Sequence, residues 1–141
     1  MLNFDKDKVT LLVSEIKSAI NMLNEIATMD YDAFITDPHR VSSAKYNLIV
    51  AIEASIDICN HLISKNGYRI PEDYADTFKV MAEAGILSND FVENKLVSMA
   101  RFRNRLVHLY WQVDNNFLYQ IISDEVKDLE KLLNKFKEIV K

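Results

Sequence analysis

The octapeptide at residues 103–110, with the sequence RNRLVHLY, combines side chains that could act on a phosphate ester. An imidazole can give or take a proton at neutral pH, which makes His108 a candidate acid or base. The planar guanidinium of Arg103 could hold two phosphate oxygens, and Asn104 could orient a substrate or a neighbouring side chain. The spacing of these residues predicts a site for phosphate chemistry.

Basic residues are concentrated around this octapeptide, although the chain as a whole carries a net charge of −4. No acidic residue lies between Glu93 and Asp114, an interval that contains Lys95, Arg101, Arg103, Arg105 and His108. Charge segregated in this way creates a local positive potential that attracts phosphate groups. The alternative is a solvated basic face whose acidic counterparts lie on facing helices.

Arg103 lies seven residues from both Leu96 and Tyr110, which places it within about 20° of the apolar stripe of a regular helix. Its guanidinium is therefore expected to be at least partly buried. Because an unpaired buried cation costs several kcal/mol, Arg103 needs a carboxylate or a ligand phosphate beside it. Glu53 and Asp57, in a polar ribbon of the second predicted helix, are the candidate carboxylates, and a purely structural ion pair is the alternative to phosphate binding.

His108 follows Arg103 by five residues, or about 140° around a regular helix. The two side chains of one subunit would not converge unless the helix loosened after Arg105. Convergence across a two-fold axis would also bring them together, and we therefore expect a homodimer with this helix near the interface. The sequence contains no strong metal-ligand spacing, so no metal site is expected.

The composition predicts the fold that must position these residues. The chain has 141 residues, of which 49% are hydrophobic and only 2 are glycine and 2 proline. So little turn-forming material favours long helices joined by short loops. We expect a single domain, residues 1–141, with an all-α, up-and-down bundle of about five helices. Their predicted extents are Asp5 to Met29, Pro38 to Gly67, Pro71 to Gly85, Ser88 to Tyr110, and about Asn116 to the C-terminus.

The sequence also favours a cytoplasmic protein without a membrane span. The N-terminus lacks the basic-then-apolar order of a signal peptide. The longest stretch without a charged residue is Asn115 to Ser123, which is too short to cross a bilayer. The single cysteine, Cys59, excludes an intramolecular disulfide and fits a reducing compartment.

The octapeptide, read as R-N-x3-H-x-Y, resembles the signature of the HepT-like proteins of the HEPN superfamily. Further segments resemble that family in the same order and together cover roughly Val41 to Asp114: Glu53-x3-Asp57-x3-His61, Pro71-x2-Tyr74, Gly85-Ile86-Leu87 and Val113-Asp114. One departure is the apolar Leu109-Tyr110-Trp111 surround, where many relatives are more acidic.

The resemblance implies a homodimeric toxin of a type VII toxin–antitoxin pair, acting as a metal-independent endoribonuclease. Arg103 and His108 would carry RNA cleavage, supported by Asn104, Glu53 and Asp57. RNA can be cut without a metal because its own 2′-hydroxyl can attack the adjacent phosphate, given a proton acceptor, a proton donor and a group that holds the developing charge. The basic residues expected to bind the RNA are Lys95, Arg101 and Arg105.

The resemblance also implies a partner, a minimal nucleotidyltransferase antitoxin that transfers AMP from ATP to Tyr110. ATP and magnesium would then be used only by the partner, and this chain would need no cofactor. Two other interpretations stay open on the sequence. The chain could be a non-catalytic helical module that binds substrate or docks on a nucleotidyltransferase, or a plain helical dimer in which Arg103 makes only a structural ion pair.

Overall fold

The computed structural model describes residues 1–141 and contains six helices and no strand, which confirms the all-α bundle. The helical segments are α1 (Lys6–Ala27), α2 (Tyr31–Ile35), α3 (Pro38–Lys65), α4 (Tyr74–Glu83), α5 (Asn89–Phe91), α6 (Val97–His108) and α7 (Asn115–Val140). A π-helical turn, Val92–Leu96, joins α5 to α6, so these two segments form one continuous helix.

Side-chain caps fix the predicted helix starts. The Asp37 carboxylate accepts a hydrogen bond from the backbone N–H of His39, and Pro38 occupies the first turn of α3, where its missing N–H costs nothing. Ser88 and Asp114 cap α5 and α7 in the same way. After α3, Gly67 has a φ of 66°, a left-handed conformation that lets the chain leave the helix.

The predicted start of the third helix was wrong. Helix α4 begins at Tyr74 rather than Pro71, because Asp73 is its N-cap and accepts from the backbone N–H of Asp76. The Asp76 carboxylate in turn accepts from the backbone N–H of Glu72 and pairs with Arg69. These contacts hold the segment before Asp73 in a turn outside the helix.

Residues 31–35, which the sequence predicts to be a connecting segment, form a short helix. Helix α2 is capped by Asp30, whose side chain accepts from the backbone N–H of Ala33. Its Phe34 is fully buried, and Tyr119 of α7 packs against the Phe34 ring. The buried Phe34 ring therefore holds this single turn of helix against the bundle.

The fourth predicted helix ends earlier than expected. Helix α6 stops at His108, Leu109 leaves the helical region with φ −128° and ψ 39°, and a 3₁₀ turn spans Tyr110–Gln112. Tyr110 therefore does not lie on the helix that carries Arg103, and the helical-face relation expected between them does not apply. The burial of Arg103 rests on the preceding turns alone.

Helix α3 is the central element, as the hydrophobic pattern predicted. It packs against α1, α4 and α6, while α7 packs mainly against α1 and also contacts α3. The helix is long and apolar enough to cross a bilayer, but 67% of its most apolar stretch is buried inside the protein, as expected for a core helix. The largest fully buried side chains include Phe34, Phe78 and Phe136.

Candidate functional site

Arg103 is buried on α6, with 8% of its surface exposed, and is paired with Glu53 of α3. Its Nε–H donates to Glu53 Oε1 at 3.0 Å, and Nη2 donates to the same oxygen. The predicted contact between Arg103 and a carboxylate of α3 is confirmed for Glu53. The pair fixes the guanidinium between the two helices.

Two further residues hold the same guanidinium. Its Nη1 donates to the Asn104 side-chain oxygen at 3.1 Å, and its central carbon lies 4.7 Å from the centroid of the Tyr74 ring. A cation over an aromatic face is attracted by the ring quadrupole. Tyr74 was not predicted to contact Arg103, and its place in the Pro71-x2-Tyr74 segment was the only signal.

Asp57 lies one turn beyond Glu53 but forms no ion pair with Arg103. It is exposed, and it lines a small cavity of ≈ 90 Å³ with Glu53 and Tyr74. Partial desolvation raises the pKa of Asp57, and the negative charge of Glu53 adds to that effect. Glu53 is thus the carboxylate that compensates Arg103, while Asp57 adds negative charge at the cavity rim.

His61 lies on α3 one turn beyond Asp57 and serves a different part of the fold. Its Nε2 accepts a hydrogen bond from the backbone N–H of Asp5 at 2.9 Å, and burial lowers its pKa. The neutral imidazole therefore ties the start of α1 to the end of α3. On α3, Glu53 therefore belongs to the candidate site, whereas His61 stabilises the fold.

His108 lies at the C-terminal end of α6 and is exposed, with its side chain free of hydrogen bonds within the chain. The helix between Arg103 and His108 is regular, and the π-helical turn lies before Arg103 rather than after Arg105. The loosening that would bring the two side chains together within one protomer is absent. A buried arginine and an exposed histidine therefore face different directions from one helix.

Tyr110 is fixed by a residue that the sequence analysis missed. Lys45 of α3 is 6% exposed, and its Nζ donates to the Tyr110 carbonyl oxygen at 3.3 Å and lies 4.3 Å from the Tyr110 ring centroid. The signal was available, because Lys45 interrupts the apolar stripe formed by Val41, Leu48 and Ile52. A charged residue in such a stripe needs a buried partner.

The remaining basic residues lie on the surface of the α5–α6 helix. Arg101 and Arg105 are exposed and line a cleft between α6 and α7. Lys95 is exposed and lies near Asp128 of α7. Burial raises the pKa of the Asp128 carboxyl group, and the positive charge of Lys95 partly opposes that rise. Part of the basic segment around the octapeptide therefore faces an acidic residue of α7.

Comparison with known proteins places this chain in a family. The sequence model of the family described as ribonuclease HepT-like matches residues 16–136. A candidate RNase of Archaeoglobus fulgidus is 30% identical over 124 residues, which is 88% of this chain and 86% of that protein. The mRNA nuclease HepT of Shewanella oneidensis is 26% identical over 125 residues, which is 89% of this chain and 92% of that protein.

Solved structures agree with this assignment. A tri-AMPylated Shewanella oneidensis HEPN toxin in complex with an MNT antitoxin matches with a TM-score of 0.83 at 25% identity, covering 94% of this chain and 98% of that one. A cytosolic Bacillus subtilis protein of unknown function shares the fold, with a TM-score of 0.83 at 16% identity over 99% and 92% of the two chains. The fold defines an all-α protein of the HEPN class. This chain belongs to the ribonuclease HepT-like family.

Proposed function

We propose that this chain is the toxin of a type VII HEPN/MNT toxin–antitoxin pair and cleaves RNA without a metal ion. The observation that carries the proposal is the arrangement at the end of α6. There a buried, paired Arg103 precedes an exposed His108 and an anchored Tyr110, in a chain that the sequence model of the ribonuclease HepT-like family matches. We place the protein in the cytoplasm, where RNA and a nucleotidyltransferase supplied with ATP are available.

The guanidinium of Arg103 keeps donors for a substrate although it is paired. Three of its five N–H groups are used, one on Nε and one on each terminal nitrogen, which leaves one N–H on Nη1 and one on Nη2. Glu53 and Asn104 hold the group still, so those two donors have a fixed direction. They could bind the non-bridging oxygens of a phosphodiester as negative charge develops there.

In the proposed reaction the RNA 2′-oxygen attacks the adjacent phosphorus while the bond from phosphorus to the 5′-oxygen breaks. A neutral His108 takes the proton from the 2′-hydroxyl, and a protonated His108 delivers a proton to the leaving 5′-oxygen. The products are a 2′,3′-cyclic phosphate and a 5′-hydroxyl. Two histidines in opposite protonation states are needed. A two-fold dimer would supply both, and it would bring the His108 of one protomer towards the Arg103 of the other, since the two side chains of one protomer face different directions.

We further propose that AMP on Tyr110 silences this activity. The tyrosine oxygen would attack the α-phosphate of ATP held by the partner enzyme with magnesium, and pyrophosphate would leave. The half-exposed ring of Tyr110 is accessible, and the new phosphodiester would lie beside the ammonium group of Lys45 and close to His108. Its charge and bulk would then compete with RNA for the basic residues around the motif.

Incubation with total RNA, with and without EDTA, tests the proposal. We expect wild-type protein to shorten RNA equally in both conditions and His108→Ala to be inactive. His39→Ala is the matched control, because His39 is another exposed histidine and lies in the first turn of α3, outside the octapeptide. Loss of cleavage in EDTA, or full activity of His108→Ala, would contradict the proposal.

A second candidate function is a non-catalytic module that docks on a nucleotidyltransferase. It is favoured by the pairing of Arg103 with Glu53, which satisfies the buried charge without any substrate. In that case wild-type protein would leave RNA intact but would still bind the partner enzyme. The same RNA assay, combined with co-purification of the partner, separates the two functions.

A further inference from the structure

The cleft between α6 and α7 contains a carboxyl group with no partner. The cleft has a volume of ≈ 260 Å³ and is lined by residues that include Arg101, Phe102, Arg105, Phe117 and Glu125. Glu125 Oε2 is buried and has no hydrogen-bond partner. Because buried polar atoms are almost always hydrogen-bonded, an orphaned oxygen in a cleft indicates a missing donor.

The other walls of the cleft are aromatic and basic. The rings of Phe102 and Phe117 meet edge to face with centroids 6.0 Å apart, and Phe117 is partly exposed at the mouth. The Arg105 guanidinium lies 5.8 Å from the Phe117 centroid, and the Arg101 side chain is exposed beside it. Aromatic faces flanked by arginine are the usual surroundings of an unstacked RNA base.

The cleft lies on the same face of α6 as the proposed acid–base residue. At 100° per residue, Arg101, Arg105 and His108 fall within about 60° of one another, whereas Arg103 points to the opposite side. Along the helix axis His108 lies about 4.5 Å beyond Arg105 and about 10 Å beyond Arg101. An RNA strand at His108 would therefore run directly past the mouth of the cleft.

We propose that this cleft binds one unstacked base of single-stranded RNA next to the cleaved phosphate, and that it prefers a base with an exocyclic amino group. Phe117 stacks on the face of the base, Arg101 and Arg105 neutralise the flanking phosphates, and Glu125 accepts hydrogen bonds from the amino group. The small volume suits a single flat base. This inference rests on the proposed ribonuclease function, for which it names the form of the substrate.

Cytosine and uracil provide the sharpest comparison, because they have nearly the same shape. At the same ring position, cytosine carries an amino group and uracil carries a carbonyl oxygen. We would measure the binding of fluorescein-labelled hexamers of 2′-O-methyl cytidine and 2′-O-methyl uridine to wild-type protein by anisotropy at pH 8, where the Glu125 carboxyl group, with a pKa of about 7, is ionised and can only accept hydrogen bonds. The 2′-O-methyl group removes the attacking hydroxyl and so prevents cleavage. The cytidine hexamer should bind about five- to tenfold more tightly.

Two variants separate stacking from hydrogen bonding. Phe117→Leu should weaken binding of both hexamers about fivefold or more, and Tyr46→Leu, a change at an exposed aromatic residue outside the cleft, should not. Glu125→Gln should abolish the preference for cytidine, because an amide can also donate to the uracil carbonyl. Glu130→Gln, on the exposed side of α7, should retain the preference.

Equal affinity for the two hexamers, or variants that behave like their controls, would overturn the inference. A change of molecular mass in light scattering with Phe117→Leu would also overturn it, because the cleft would then be a protein interface. Cleavage of RNA by a wild-type protein that lacks the preference would refute only the base site. Selective binding of cytidine by a protein that never cleaves RNA would refute only the ribonuclease proposal.

Discussion

The buried ammonium group of Lys45 lies over the ring of Tyr110 and donates to its carbonyl oxygen, so that α3 holds the turn that follows α6. Lys45 forms no ion pair with a carboxylate. The carbonyl and the ring face are therefore the groups that compensate its charge. This relationship fixes the motif tyrosine by tertiary structure after the helix has ended.

Lys45→Met should loosen the turn while the bundle stays folded, because methionine keeps the apolar stem of lysine but not its charge. Amide hydrogen exchange of residues 110–112 should accelerate about tenfold, as a hydrogen bond to a charged group contributes on the order of 1.5 kcal/mol. Trp111, the only tryptophan and 76% exposed, should report the change in its fluorescence. Lys17→Met, at an exposed position of α1, is the control, and equal exchange in both variants would disprove the anchor.

Glu53→Gln should destabilise the fold by about 2 kcal/mol, because it leaves the Arg103 charge buried without a counter-ion. Water at the partly exposed Glu53 side chain limits the loss. Asp57→Asn is the matched control and should keep or slightly raise stability, since burial and the charge of Glu53 already raise the Asp57 pKa. Urea unfolding measures both changes, and a larger loss for Asp57→Asn would reverse the assignment.

Glu125→Gln should remove a loss of stability that the wild-type protein shows as pH rises. Burial, with added repulsion from Asp128 and Asp124, raises the pKa of Glu125 from 4.5 to about 7. The stability linked to this raised pKa is complete below about pH 4.5 and is lost as pH rises through 7.

At pH 5 the wild type and the Glu125→Gln variant should therefore have nearly equal unfolding free energies. At pH 8 the variant should be more stable by about 2 kcal/mol, because it carries no buried charge. Urea unfolding at the two pH values tests this difference. Lys95 partly opposes the rise in the Glu125 pKa. Lys95→Met in an otherwise wild-type chain should therefore enlarge the loss of stability at high pH. A difference that does not change with pH would contradict the assignment to Glu125.

Tyr110→Phe should keep the fold and escape modification. With a partner nucleotidyltransferase, ATP and magnesium, wild-type protein should gain the mass of an adenylyl group on Tyr110 and lose RNA cleavage. The phenylalanine variant should remain active beside the partner, while Tyr46→Phe, at another exposed tyrosine, should be silenced like the wild type. Peptide mass spectrometry locates the added group, and its presence on another residue would refute the mechanism.

The proposed dimer should place the two copies of His108 close to the two-fold axis. Light scattering at micromolar concentration should give twice the chain mass of 16.3 kDa. His108→Cys should then form an intermolecular disulfide on mild oxidation, because Cys59, the only natural thiol, is fully buried and unreactive. His39→Cys is the control, and equal cross-linking of the two variants would argue against this interface.

Much of the site could be read from the sequence because it depends on helix periodicity. The burial of Arg103 and its pairing with a carboxylate of α3 followed from seven-residue spacing and from the cost of an isolated buried charge. The caps at Asp37 and Ser88 were equally local, since each involves a side chain and backbone groups two or three residues away. Periodicity alone could not choose between Glu53 and Asp57, which lie only one turn apart on the same ribbon.

The sequence by itself determined the all-α bundle, the motif and the need for a counter-ion at Arg103, because these follow from interactions within one helix or one apolar stripe. Only the tertiary structure decided that α6 ends before Tyr110, that Lys45 holds the following turn and that Tyr74 covers the guanidinium. It also brought Glu125 of α7 into a cleft with two arginines of α6. These contacts join residues far apart in the chain, and their geometry depends on how whole helices pack, which no local pattern specifies.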